Sequence, residues 1–158
     1  MTRKTSARSS SRKAIPSLVG KLVAKTAIFS DLDNISLRAF VALDAFHRGK
    51  GSAGLLALIG RHLVVSENLC QAGYEPDSLR TVREAHASLV RVDWDAQSGQ
   101  GWKAEGVDYE ALRSAFVVYD EQLRNAPRNV VQHAQILMVT MLTSRGEPAA
   151  QTAQQQAA

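Results

Sequence analysis

Residues 34–60 read NISLRAFVALDAFHRGKGSAGLLALIG, and the parsing of this stretch decides the fold. At its centre, Gly49-Lys50-Gly51-Ser52-Ala53-Gly54 matches the G-x-G-x-x-G pattern of dinucleotide-binding folds letter for letter. In those folds the glycines follow a strand and let the backbone approach a pyrophosphate at a helix N-terminus. Here the preceding residues have the wrong period for a strand. Ile35, Ala39, Leu43 and Phe46 recur at three- and four-residue intervals, and Phe40 and Ala42 widen the stripe. Asp33 or Asn34 can cap the N-terminus, and Gly49 supplies a stop. The spacing therefore predicts a helix over 34–48, and the glycine motif becomes a turn between two helices.

Working outward, Ser52 caps a second helix over 52–72 that ends at Gly73. Its Leu55, Leu56, Leu58, Ile59, Leu63, Val64 and Leu69 spread around much of the wheel, the pattern of a central helix. A third helix starts near Pro76, with Leu79, Val82, His86, Leu89 and Val90 as its stripe, and ends in Ser98-Gly99-Gln100-Gly101. A fourth, over 107–125, carries Tyr109, Leu112, Phe116, Tyr119 and Leu123 on one face. Asp108 and Glu110 near its start and Arg124 near its end suit the helix dipole. A fifth, over 127–145, would bury Val130, Ala134, Leu137, Met138 and Met141, although Ile136 to Leu142 is also compatible with a strand. Upstream, Ile15, Leu18, Val19 and Leu22 form an amphipathic segment over 15–28. The expectation is an all-α, single-domain bundle of four or five helices over 15–146, with a disordered arm (1–14) and a disordered Gln/Ala tail (147–158). There is no internal repeat.

Composition agrees. The chain has 158 residues, 45% of them hydrophobic and 22% charged, enough apolar matter for one core. Aromatic residues are only 6%, so Leu, Val and Ala must fill that core. A lone cysteine, Cys70, excludes an internal disulfide and a thiolate zinc cluster.

The net charge of +4 is unevenly distributed. Residues 1–30 contain Arg3, Lys4, Arg8, Arg12, Lys13, Lys21 and Lys25 and no acid, whereas 31–158 hold the other twelve basic residues against fifteen acidic ones. A mildly acidic body thus carries a cationic arm. The longest uncharged stretch, Asn129 to Ser144, is 16 residues and contains Asn, Gln, His and Thr, so no membrane-spanning segment is expected. Lys21 and Lys25 interrupt any secretory h-region. The acid-free, Arg- and Ser-containing start has some transit-peptide character, but a cytoplasmic location is the expectation.

Side chains that carry chemistry do not converge in the sequence. His47, His62, His86 and His133 lack metal-ligand spacing, and Cys70 has no histidine at such spacing. His47 lies one turn after Asp44, so the two could share a face, and His86 falls within an apolar stripe as a hydrogen-bonded core residue would. The pairs Asp93/Asp95 and Asp120/Glu121 point to different helix faces. No serine occupies a nucleophile elbow. No catalytic residue, metal or cofactor is assigned. Lys50, Gly51 and Ser52, at the start of the second helix, are candidate contacts for a single phosphate. A helix-turn-helix across the second and third helices would use Gly73 as its turn, but it opens with Glu75-Pro76-Asp77, which would face phosphates.

The run Ala42-Leu43-Asp44-Ala45-Phe46, then Arg48-Gly49 and Gly51, then Glu67-Asn68-Leu69 and Gly73, resembles a group of small helical proteobacterial proteins labelled Fis family transcriptional regulators. The basic Arg/Ser start adds to the resemblance, which covers residues 1–95 and implies DNA binding. Fis itself carries a basic C-terminal helix-turn-helix, whereas this chain ends in an uncharged helix and a Gln/Ala tail. No functional residue carries over. The resulting expectation is a DNA-associated regulatory or accessory protein, dimeric, binding phosphates through Arg3, Lys4, Arg8, Arg12 and Lys13, with Lys21 and Lys25 extending the patch. The alternative is a helical protein-interaction module without nucleic-acid binding.

Overall fold

The computed structural model describes residues 34–144. The expected arm (1–14), the amphipathic segment (15–28) and the tail (147–158) lie outside the described residues. Five helices follow one another: α1 (34–47), α2 (Ala53–Gln71), α3 (Leu79–Asp95), α4 (Gly106–Asn125) and α5 (Arg128–Ser144). A single 3-10 turn at Pro76–Ser78 leads into α3, and a wide turn at Ala96–Gln100 leaves it. Among the described residues there is no strand, so the apolar run Ile136–Leu142 is helical.

Helix ends are set by local chemistry. At the end of α1, Gly49 adopts a left-handed φ of 66°. The Gly49 amide then donates to the Phe46 carbonyl (3.1 Å) and the Lys50 amide to that of Ala45 (2.7 Å). Gly73 ends α2 in the same way, with a φ of 95° and with the Tyr74 amide on the Leu69 carbonyl at 3.0 Å. These paired bonds satisfy carbonyls that a helix end otherwise orphans, and glycine adopts the required φ without a Cβ clash. Ser52 caps α2, accepting from the Leu55 amide at 3.3 Å. Pro127 precedes α5 and closes its first turn with its own carbonyl.

Two apolar clusters run end to end through the bundle. The first joins Ala39, Leu43 and Phe46 of α1 to Ile59 and Leu63 of α2, Leu89 and Val92 of α3, and Leu112 and Phe116 of α4. The second joins Val65 and Leu69 of α2 to Tyr119 and Leu123 of α4 and Val131 and Ala134 of α5. Helix α2 contributes to both and packs on α3, α4 and α5. It is long and apolar enough in composition to cross a bilayer. Here it serves as the central helix, with Ser66 and Asn68 buried along it. Phe46 is fully enclosed and meets Trp102 edge-on at 6.4 Å. Truncating such a side chain to alanine costs about 3–5 kcal/mol.

Two expected stripes need correction. On α3 the buried positions are Val82, Ala85, Ser88, Leu89 and Val92, while Val90 is 68% exposed. Packing of α3 on both α2 and α4 sets its rotation, and it selects Val92, one turn beyond Leu89, over Val90. On α5, Val131 and Ala134 are buried and Met138 is half-buried, but Leu137 and Met141 are exposed. Among the described residues, the cover of α5 extends only as far as Met138.

Candidate functional site

The glycine motif is a structural turn in this fold. The Gly51 amide donates to the Trp102 carbonyl at 3.2 Å, and the Ala104 amide donates to the Phe46 carbonyl, also at 3.2 Å. These two bonds tie the α1–α2 turn to the 101–105 loop. A Cβ on Gly51 would lie 2.6 Å from the Trp102 carbonyl oxygen and 2.7 Å from the Phe46 ring. Close backbone approach therefore explains this glycine, and the partner it approaches belongs to the same chain. Lys50 is exposed beside it. Two amides near the start of α2 are already engaged, Gly51 by Trp102 and Leu55 by the Ser52 hydroxyl. Ala104 is fully buried and Trp102 half-buried, and neither stood out in the sequence. They lie outside any periodic segment, so helical spacing could not flag them.

The histidines separate in space. His47 does not share an interaction with Asp44, which pairs with Arg48 at 2.8 Å. Instead its ring lies against Tyr109, with centroids 4.4 Å apart. His62 packs on Tyr119 at 5.4 Å, its Nε2 is buried without a partner, and burial lowers its pKa. Burial also pushes the Tyr119 hydroxyl up. His86 is half-buried, and its Nε2 is buried without a hydrogen-bond partner, 3.5 Å from the Glu67 carboxylate, so it is not the hydrogen-bonded core histidine expected. Among the described residues no three His, Cys, Asp or Glu side chains converge as a metal site would require.

Cys70 belongs to a buried polar knot that sequence reading missed. Gln122 is fully enclosed, and its Oε1 accepts from the Ser66 hydroxyl at 2.7 Å. Its Nε2 lies 3.1 Å from the Ser66 carbonyl, 3.0 Å from the Tyr74 carbonyl and 3.1 Å from Cys70 Sγ. These bonds join α4 to the end of α2 and to its exit turn. The side chain's polar groups are all matched, so the knot is a fastening. The signal was the position of Gln122, one turn after Tyr119 on an otherwise apolar stripe. Burial raises the Cys70 thiol's pKa, with the Gln122 hydrogen bond opposing.

The carboxylate pairs are surface features. Asp120 accepts from the Ser36 hydroxyl at 2.7 Å and pairs with Arg124 at 2.9 Å, in the cleft between α1 and α4. Asp93 accepts from Gln97 at 2.9 Å. Across the bundle Arg48, Arg80, Arg83, Arg91, Lys103, Arg113 and Arg124 each have a carboxylate partner. Arg91 with Asp108, bonded at 2.9 Å, links α3 to the start of α4. On the helix-turn-helix reading, Glu75, Pro76 and Asp77 form the entry to α3, and Arg80 and Arg83 behind them pair with Glu84 and Glu67. The arm residues Arg3, Lys4, Arg8, Arg12, Lys13, Lys21 and Lys25 lie outside the described residues.

Over the described residues, fold and surface define an all-α bundle of five helices, most of whose cations pair with its own acids. No protein-family model matches this chain, and no curated protein or solved structure is detectably similar to it.

Proposed function

We propose that this chain is a DNA-associated accessory protein that holds nucleic-acid phosphates through its basic N-terminal arm. The observation that carries the reading is the partition of charge. Seven cations and no acid occupy residues 1–30, while most cations of the helical body are matched by carboxylates. Cations with no local acid to pair with gain most from phosphates, because binding releases the counterions condensed on the duplex. Arg3, Lys4, Arg8, Arg12 and Lys13 make the contacts, and Lys21 and Lys25 extend them. Lys50 would add to them by charge alone, since the Gly51 amide is engaged. A cytoplasmic site of action goes with this reading.

The test is binding of the full chain to a random-sequence duplex across a salt series. It is compared with a chain in which Arg3, Lys4, Arg8, Arg12 and Lys13 are all replaced by glutamine. Each cation that no longer meets a phosphate flattens the slope of log K against log salt by about 0.9, so removing five flattens it by about four to five. If the unaltered chain does not bind at low salt, or if the slope does not change, the proposal fails. The second reading, a helical interaction module without nucleic-acid binding, is favoured by the exposed apolar half of α5.

A further inference from the structure

Where α3 packs on α2, His86 and Glu67 face each other as an unmatched pair. The His86 Nε2 is buried without a hydrogen-bond partner, 3.5 Å from one carboxylate oxygen of Glu67. The other oxygen of Glu67 accepts from Arg83 Nε at 3.0 Å. Arg83 and His86 are one turn apart on α3, so two side chains of one helix straddle a single carboxylate of the other. A neutral imidazole with its lone pair on Nε2 turns one acceptor toward another, and that nitrogen has left water without compensation. An imidazolium presents an N–H at the same place and makes a charge-assisted bond to the carboxylate. The two side chains are only 29% and 24% exposed, which limits screening of that bond by salt.

We propose that His86 and Glu67 form a proton-operated clasp on the α2–α3 hairpin, unmade when His86 is neutral and made when it is charged. The two residues stand on either side of the turn that joins the helices, so the clasp fixes that turn from both arms. The turn gains from being fixed, because Glu75 within it holds a left-handed φ of 55°, which residues other than glycine seldom adopt. Few charges face the ring. Glu67 approaches from α2, and Arg83 from His86's own helix. Among the described residues α4 and the 76–78 turn, which also pack on α3, bring no carboxylate within 4.0 Å of the ring nitrogens. Arg83 repels an imidazolium, but its side chain is 60% exposed, so water screens the repulsion more than it screens the attraction. The clasp belongs to the helical body and stands whether or not the arm binds DNA.

A bond that only the imidazolium makes stabilises the fold at acid pH and is lost as pH rises. His62, packed on Tyr119, responds with the opposite sign, because burial resists its charging. A melt of the unaltered chain therefore reads both histidines, and a comparison of variants isolates the clasp. Thermal melts of the full chain, H86L, E67Q and the combined H86L/E67Q chain, run at about pH 5 and about pH 8, give a double-mutant cycle on either side of histidine's usual range. At the acid pH each single change should lower the melting temperature by about 3 °C or more, and the second change should add little to the first. At the alkaline pH H86L should cost nothing, since it removes a buried nitrogen that has no partner, and the two changes should be independent. The exposed Arg83 pair is lost in E67Q at both pH values and cancels in the comparison. Coupling between the two positions that is absent at the acid pH, or equally large at both, would overturn the proposal.

Discussion

Replacing glycines 49, 51 and 54 one at a time by alanine separates the structural role of the G-x-G-x-x-G match from a phosphate-binding one. At Gly51 the added Cβ meets a backbone oxygen at 2.6 Å and the enclosed Phe46 ring at 2.7 Å, and neither can swing aside. Relief requires the α1–α2 turn to move off the 101–105 loop. Overpacking of this kind costs about 1–3 kcal/mol. Movement also weakens the 3.2 Å bond from the Gly51 amide to the Trp102 carbonyl, which adds about 1 kcal/mol. The expected loss for Gly51→Ala is thus about 2–4 kcal/mol. At Gly49 there is space, the nearest atom being 4.0 Å away, but the φ of 66° penalises any L-residue by about 1–2 kcal/mol. Gly54 lies in the first turn of α2 with nothing closer than 3.9 Å, so alanine there should be neutral or stabilise by about 0.4–1 kcal/mol. Urea unfolding followed by helical circular dichroism reads all three. The reasoning is refuted if Gly51→Ala is no less stable than Gly54→Ala, because the close approach would then not exist in solution.

Three other consequences can be measured. Gln122→Leu leaves the Ser66 hydroxyl and two carbonyls without their partner and should lose about 2–4 kcal/mol in urea unfolding. In a double-mutant cycle with Ser66→Ala the two effects should be non-additive by more than about 0.5 kcal/mol. Burial lowers the His62 pKa, so as pH falls below its ordinary value of 6.5 the unfolded chain takes up a proton that the folded state resists. Stability should therefore decline below that pH and level off once the folded-state pKa is passed. Thermal melts of His62→Phe, which keeps a ring against Tyr119, should show a smaller decline. Cys70 is 2% exposed, with its thiol pKa raised by burial, so a thiol reagent at neutral pH should label it only at the rate of unfolding. Fast labelling of the native protein would contradict the enclosed end of α2.

Much of the architecture was legible in the chain because it is encoded locally. Gly49 and Gly73 end helices by supplying a left-handed φ, Ser52 caps α2 through its own hydroxyl, and Leu112, Phe116, Tyr119 and Leu123 repeat at helical spacing. Each of these acts within a few residues. So does the rejection of the dinucleotide motif, which rested on the helical period before Gly49. The charge partition is likewise a property of composition, and it needs no fold to be read.

Tertiary structure decided what depends on distant residues. Val90 and Val92 are equally apolar, and only the packing of α3 on α2 and α4 determines which of them is buried. Gln122 is an ordinary surface residue by type until Ser66, Cys70 and Tyr74, about fifty positions earlier, enclose it. Gly51 reads as a flexible turn until Trp102 and Phe46 close upon it. The outward half of α5 is apolar by sequence whether it is covered or bare, and it is bare because the bundle's second cluster ends at Val131, Ala134 and Met138. A sequence pattern states which side chains avoid water, but which of them succeed depends on where the other helices stop.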